Sequence, residues 1–174
     1  KQKSIPLYIY AWSSDERKKQ VAVPLSINSD GHSTLHPAVS INDRKLYFAS
    51  DRPGGFGGMD LYYVTILGNG NYSSVVNLGP DINTASDEIF PFLHQEKFLF
   101  YSAKGNNGKL SPKLAVNSVD VRWHVMDLPP PFASDQDDFS LSVDENLDYG
   151  LLSSNRETGN GDDDLYAFKF KPQM

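Results

Sequence analysis

The sequence predicts an all-β fold, and three observations carry that prediction. Apolar residues come in short bursts rich in Tyr, Phe, Val and Leu, such as Leu61-Tyr62-Tyr63-Val64. Clusters of Gly, Pro, Asn, Asp and Ser separate the bursts, and these residues supply the backbone conformations of tight turns. No window of the sequence places apolar residues at the i, i+3, i+4 and i+7 spacing of an amphipathic helix.

The bursts belong to a repeat. Residues 50–64 align without a gap over residues 154–168, and the two segments share a Ser, an Arg, two Gly and an Asp-Leu-Tyr triplet. Midway between them, residues 97–102 resemble residues 45–50. A unit of about fifty residues therefore recurs. In its first copy we predict strands over residues 37–40, 45–51, 60–66 and 74–78.

A unit of this size with four short antiparallel strands is typical of a β-propeller blade, and a solenoid is the alternative. We interpret residues 1–30 as the outer strands of a preceding blade and residues 31–84 as a blade. Residues 85–134 are then a degenerate blade, and residues 135–174 a blade without its last strand. About three and a half blades are fewer than the four to eight that close a ring. We therefore expect this domain to be part of a larger ring.

The second copy departs from the pattern after Lys109, where the expected Gly-Gly-x-Asp-Leu-Tyr is missing. Either this blade has a degenerate third strand, or residues are absent from the sequence. The N-terminal residues lack the apolar stretch of a signal peptide. Either the protein has none, or the chain is a mature or excised piece.

Composition excludes several classes of function. The 174 residues include 16 Lys+Arg and 22 Asp+Glu, which gives a net charge of −6. Nucleic-acid binders and binders of anionic membranes need clustered cations, so both are disfavoured. The chain has no cysteine, which excludes a disulfide framework, a thiolate metal site and a cysteine nucleophile. No apolar run reaches the length of a membrane span.

The repeat carries a resemblance to a known family. A Pro, an apolar strand, an Asn/Asp turn, Leu-Tyr-Phe-x-Ser-Asp-Arg, glycines and then Asp-Leu-Tyr follow one another in residues 37–64. This order resembles the TolB-like, WD-type propeller repeat. The segment Asn-Leu-Gly-Pro-Asp-Ile-Asn-Thr, residues 77–84, is similar to the linkers of Bacteroidetes envelope proteins. In that group the propeller lies between a tetratricopeptide segment and an OmpA-like peptidoglycan-binding domain.

The resemblance implies a non-enzymatic interaction module or scaffold, periplasmic and associated with the outer membrane. It also implies protein partners in a type IX-like secretion complex or a peptidoglycan-tethered complex. A link to peptidoglycan would run through a domain outside this chain. No cofactor, metal ion or catalytic residue is expected, nor any nucleic-acid partner or direct membrane span.

Two sets of residues are candidates for particular roles. Residues that recur in the repeat are expected to be structural, and they are Ser50, Asp60, Tyr62, Ser154, Asp164 and Tyr166. Residues on predicted loops are candidates for contacting a partner or ligand, and they are Arg52, Phe56, Asp87, Glu88, Asp138 and Arg156. The recurring aspartates serve either as acceptors for turn N–H groups or as metal ligands. The two arginines bind either a carboxylate ligand or an acid of a neighbouring blade.

Other readings stay open at this point. The acidic segments 134–138 and 160–164 lack the ligand spacing of a calcium loop. His32 and His36 are spaced like a helical metal pair, but Gly31 and Pro37 argue against a helix there. A glycosidase or lyase would need two converging carboxylates, from among Asp87, Glu88, Asp137, Asp138 and Asp162. A peptide or muropeptide sensor would use the two arginines. Trp12 and Trp123 either anchor a partner or pack between blades.

Overall fold

The computed structural model describes residues 8–10, 22–40, 42, 44–117 and 122–170, and the regular structure in these ranges is β-strand. Every strand pair is antiparallel. The all-β prediction is confirmed. Within the described ranges, no helix is long and apolar enough to pass through a membrane.

Three main sheets follow a two-stranded one. The two-stranded sheet contains β1 (Tyr8–Tyr10) and β2 (Ala22–Pro24). The first main sheet contains β3 (Thr34–Ser40), β4 (Lys45–Ser50), β5 (Asp60–Gly68), β6 (Asn71–Tyr72) and β7 (Val76–Asn77). The second contains β8 (Glu88–His94), β9 (Phe98–Lys104), β10 (Leu110–Asn117) and β11 (Trp123–Asp127). The third contains β12 (Asp138–Val143), β13 (Tyr149–Ser154) and β14 (Asp164–Lys169). Strands that are consecutive in sequence are neighbours in each sheet, except that β6 and β7 both pair with β5.

The first main sheet has a hairpin that the predicted strands 60–66 and 74–78 did not include. Strand β5 continues to Gly68, which pairs with Asn71 across the two residues Asn69 and Gly70. Both turn residues have positive φ angles, 52° and 76°, as in the two-residue turns that favour an Asn-Gly sequence. The hairpin takes up residues beyond the predicted third strand, and the fourth strand shortens to Val76–Asn77.

The second sheet keeps the residue spacing of the other two at its central hairpin. Ser50 pairs with Asp60 and Ser154 pairs with Asp164, and the corresponding pair in the second sheet is Ser102 with Pro112. The sequence separation is the same in all three pairs. The hairpin that joins β9 and β10 therefore has the same length as the other two. The expected residues after Lys109 are replaced by residues of other types, and none is missing from this hairpin.

The first strand of each main sheet contains a β-bulge. The register shifts lie between Leu35 and Ala38, between Ile89 and Phe92, and between Asp138 and Leu141. One bulge residue from each sheet joins an aromatic stack: His36 and Phe90 lie 3.9 Å apart, and Phe90 and Phe139 lie 6.3 Å apart between ring centroids. Strand β8 contacts both β3 and β12, so the three sheets meet along their first strands.

The hydrophobic core lies between successive sheets. Leu61 of the first sheet packs with Leu99 and Tyr101 of the second, and Ile82 of the connecting segment completes this cluster. Phe100 on the other face of the second sheet packs with Leu141 and Leu152 of the third. A further cluster forms around Phe48 in the first sheet. Alternate residues of one strand thus fill two different interfaces, as the period of a β-strand requires.

Replacing the fully buried Phe48 by Ala should strongly destabilise the protein. Its ring stacks on that of Tyr62 with 6.0 Å between centroids, and truncation leaves a cavity that costs about 3–5 kcal/mol. Urea denaturation measures the loss. Leu165→Ala is the control, because Leu165 is 76% exposed and should change stability by less than about 0.5 kcal/mol. Equal losses in both variants would contradict the described core.

Candidate functional site

An aspartate closes the turn between the second and third strands in the first and third sheets. The Asp60 carboxylate accepts hydrogen bonds from the backbone N–H groups of Phe56 (2.7 Å) and Gly57 (3.0 Å). Asp164 accepts the equivalent two bonds at 2.8 and 2.9 Å, donated by Asn160 and Gly161. Because the N–H groups of a tight turn need acceptors, each carboxylate holds its turn in one conformation.

Two glycines recur in these turns, and close approaches require the first in both sheets but the second only in the first sheet. A Cβ atom on Gly55 would lie 2.5 Å from Asp60 Oδ2, and one on Gly159 would collide with the Asp164 carboxylate. A Cβ atom on Gly57 would collide with backbone carbonyl oxygens of the segment 84–86, which belongs to the approach to the second sheet. At Gly161 nothing lies closer than 3.9 Å. Gly57 therefore marks a contact between sheets, whereas Gly161 does not.

The recurring Ser, Arg and Tyr form one structural unit. Arg52 donates from Nε to Ser50 Oγ (3.0 Å) and stacks over the Tyr62 ring at 5.2 Å. The third sheet repeats both contacts at 3.0 and 5.0 Å, with Ser154, Arg156 and Tyr166. Each arginine is thereby fixed in orientation by the sheet that carries it.

The guanidinium of Arg156 makes four hydrogen bonds inside the protein, which involve all three of its nitrogen atoms. It donates to the Pro131 and Phe132 carbonyl oxygens at 2.8 and 3.1 Å. Its Nη2 also lies 2.5 Å from Oδ1 of Asp138, whose carboxylate is fully buried. The acid that Arg156 pairs with lies in the first strand of the same sheet, and not in a neighbouring blade as predicted. A ligand would have to displace that carboxylate.

Arg52 has no such acid. Its Nη2 donates to the Ile27 carbonyl oxygen (3.1 Å) and to Thr34 Oγ1 (3.3 Å). Thr34 opens the first strand of its sheet, as Asp138 does in the third sheet. Among the described residues, no carboxylate lies within ion-pair distance of this guanidinium. Burial lowers the pKa of Arg52 from its usual value, although the charge of Asp51 partly opposes this.

Sequence reasoning missed a capping motif that precedes the second and third sheets. Thr84 donates from its backbone N–H and its hydroxyl to the Glu88 carboxylate, at 2.9 and 2.6 Å. Ser134 donates in the same two ways to Asp138, at 2.6 and 3.0 Å. The signal in the sequence is a pair of acids, Asp-Glu or Asp-Asp, with a hydroxyl residue four positions before the second acid.

Glu88 is a fully buried carboxyl group. The hydroxyl and N–H of Thr84 bond it, but no cation of the described chain does. The corresponding cation, Lys104, lies 3.5 Å from Asp87 instead. Burial raises the pKa of Glu88 above its usual value, and the hydrogen bonds from Thr84 only partly offset this.

Asp87 and Asp137 connect each sheet to the turn of the sheet before it. Asp87 accepts a hydrogen bond from the Met59 N–H (3.0 Å), and Asp137 accepts one from the Leu110 N–H (2.8 Å). The bond from Leu110 is the main reason that the pKa of Asp137 lies below its usual value. Asp87 therefore joins two sheets, although it was predicted as a loop residue that contacts a partner.

Phe56 stands at the tip of the glycine-rich turn and is 49% exposed. Its own N–H and that of Gly57 are held by Asp60, and Gly58 is held by the following loop, because its N–H donates to the Ser86 carbonyl oxygen (2.9 Å). An aromatic side chain on a turn fixed at both ends loses little conformational freedom on binding. Phe56 is thus the candidate partner-binding residue with an exposed side chain and a fixed backbone.

The six residues predicted to contact a partner do not form a single pocket. Asp138 and Arg156 pair with each other. Asp87 and Glu88 lie on the loop that contacts the turn of Phe56, through the Met59 backbone. Arg52 lies apart from these, in a cavity of about 470 Å³ formed mainly by segments 26–29 and 72–75.

The acidic and aromatic residues considered for other roles have local explanations. In the described ranges, no group of three or more His, Cys, Asp or Glu side chains is arranged to hold a metal ion. Asp162 is exposed, and Asp164 is bonded by its own turn. Trp123 packs against the core between the first two sheets, whereas Trp12 lies outside the described residues.

Glu88→Gln should remove a pH-dependent part of the stability. A raised pKa in the folded state stabilises the native chain most below the ordinary value of 4.5, and this contribution is lost as the pH rises through the raised pKa. Relative to the variant, the native chain should become less stable as the pH rises from below 4.5 through the raised pKa of Glu88. Urea unfolding of both proteins across this range measures the difference, and a difference independent of pH would contradict the assignment.

Gly57→Ala should destabilise the protein more than Gly161→Ala, although the two glycines are equivalent in the repeat. The added methyl group at residue 57 meets backbone oxygens of the next loop, and such overpacking costs about 1–3 kcal/mol. At residue 161 there is space for it, so the change should stay within about 0.5 kcal/mol. Thermal and urea unfolding test this, and equal effects would count against the described contact between turn and loop.

No family model matches this chain, and no curated protein matches it. Its function is therefore inferred from the repeat, from the capped turns that the repeat builds, and from the surfaces that these turns present.

Proposed function

We propose that this chain is part of a β-propeller and acts as a non-enzymatic protein-interaction module. Three sheets of sequentially paired antiparallel strands, which meet along their first strands, support the propeller interpretation, because blades are arranged radially with their first strands innermost. The bulge near the start of each first strand and the equal hairpin spacing support equivalence of the three sheets. On this interpretation the segments 34–77, 88–127 and 138–169 are successive blades.

The observation that carries the interaction function is the exposed Phe56 on a fixed turn. Aromatic residues are enriched among the few positions that dominate binding energy at protein interfaces. The carboxylate of Asp60 and the loop 84–87 hold the turn before any partner arrives. Binding therefore requires little ordering of this backbone, which favours affinity. The use of Glu88 and Asp138 as caps for their own loops supports a structural role for these acids over the glycosidase or lyase alternative.

The cellular setting is proposed from the resemblance of the repeat to Bacteroidetes envelope proteins. The member that the repeat resembles is PorE, an accessory protein of type IX secretion. We accordingly propose a periplasmic scaffold associated with the outer membrane, with protein partners in a secretion or peptidoglycan-tethered complex. Contact with peptidoglycan would be made by a domain outside this chain.

Phe56→Ala should reduce capture of the partner by about tenfold or more, as expected for loss of a central aromatic anchor. The measurement uses the immobilised chain, an envelope extract, and identification of the bound proteins by mass spectrometry. Leu165→Ala is the matched control, because it also removes an exposed apolar side chain but lies on a strand. The proposal fails if no envelope or secretion component is captured, or if both variants capture as much as the native chain.

A further inference from the structure

In each of the three main sheets, one position carries a cation. A second position carries an acid in the second and third sheets and a threonine in the first. Arg52, Lys104 and Arg156 recur at equal sequence spacing, Lys104 as the last residue of a second strand and the arginines two residues after one. The first strands of the same sheets begin with Thr34, Glu88 and Asp138. In the third sheet the two positions form a buried ion pair. In the first sheet the arginine is kept, but a threonine stands where the acid would be.

The contacts around Arg52 fix its guanidinium in an orientation that leaves donors for an anion. Its guanidinium lies over the rings of Phe48 and Tyr62 at 4.9 and 5.2 Å. Nε and Nη2 are held by Ser50, Ile27 and Thr34. Nη1 has no acceptor in the described part of the chain, although its counterpart in Arg156 donates to a carbonyl oxygen. Two N–H donors on a fixed, half-buried cation therefore have no partner among the residues that the structure describes.

The cavity beside Arg52 has a polar lining and room for a ligand. Its volume is about 470 Å³, and its walls contain four serines in addition to the arginine, namely Ser26, Ser29, Ser73 and Ser74. A cavity of this volume is within the usual range for small-molecule sites. Serine hydroxyls donate or accept hydrogen bonds as a ligand requires, so the wall suits an acid with further polar atoms.

We propose that the Arg52 cavity binds the carboxylate of a small organic acid or of a peptide C-terminus. Asp138 shows within the same protein that an arginine at this position binds a carboxylate, there through Nη2. At Arg52 Thr34 already bonds Nη2, so the ligand carboxylate would accept from Nη1. A monoanion matches the single guanidinium charge, since planar guanidinium and carboxylate groups bond in a fixed geometry. The nearby Asp51, which bonds the Ser33 N–H, disfavours a dianion such as phosphate. This inference does not depend on the interaction function of Phe56.

The test titrates the full chain with two probes and follows the amide NMR signals of Ser29 and Ser74. The probes are lactate, a monoanion with one further hydroxyl group, and an acetylated trialanine with a free C-terminus, and the amidated trialanine and sodium chloride serve as blanks. Saturable shifts with lactate alone identify a small acid. Saturable shifts with the free peptide and not with its amide identify a peptide terminus. Shifts that sodium chloride reproduces at equal ionic strength overturn the proposal.

Three variants give the result a matched control. Arg52→Gln should weaken binding by about tenfold or more, because a charge-assisted hydrogen bond is lost. Thr34→Asp introduces the acid of the third sheet, so it should pair with Nη2 of Arg52, neutralise the guanidinium charge, weaken binding and raise the melting temperature. Lys104→Gln removes the equivalent cation of the second sheet and should leave binding unchanged. If Arg52→Gln does not fold, Thr34→Asp decides, and unaltered binding by a folded variant of either kind overturns the proposal.

Discussion

The structure depends on carboxylates that accept hydrogen bonds from backbone N–H groups at the turns. A sheet satisfies its own peptide groups along the strands, but a tight turn and the entry to a first strand leave donors without partners. Asp60 and Asp164 serve the turns. Asp87 and Asp137 serve the junction with the preceding sheet. Without these acceptors, the N–H groups of the loops would have to donate to water, and the loops would lose their fixed positions.

The net charge of −6 is partly explained by this use of acids. An acid on a loop is ordinarily read as a solvated surface charge or as a ligand for something else. Here Asp138 is fully buried, and its charge is balanced by a guanidinium and two hydroxyl or amide donors. Glu88, at the equivalent place, has the donors but no cation, which is why burial shifts its proton affinity. The same position thus has different electrostatics in successive sheets.

Sequence reasoning reached the fold class because the strands are short, apolar and separated by strong turn formers. It also recognised Asp60 and Asp164, since both recur beside glycines. It did not predict the bulges, where His36 and Phe90 have positive φ angles and stack on each other between sheets, because that contact joins residues far apart in the sequence. It also placed Arg52 and Arg156 in one class. Their difference depends on residues at the start of the first strand, Thr34 and Asp138, which lie distant in sequence and oppose them only after the sheets have paired.

The bonds from Met59 to Asp87 and from Leu110 to Asp137 have a consequence for how the molecule acquires its structure. Each of these aspartates belongs to one sheet, while its donor belongs to the sheet before. A turn therefore reaches its final form only once the following sheet has formed beside it, and neighbouring sheets become coupled in pairs. Evolution of such a turn is constrained in the same way. A change in its length or shape must be matched by a change in the loop of the next unit, so the loops of adjacent repeats are expected to vary together.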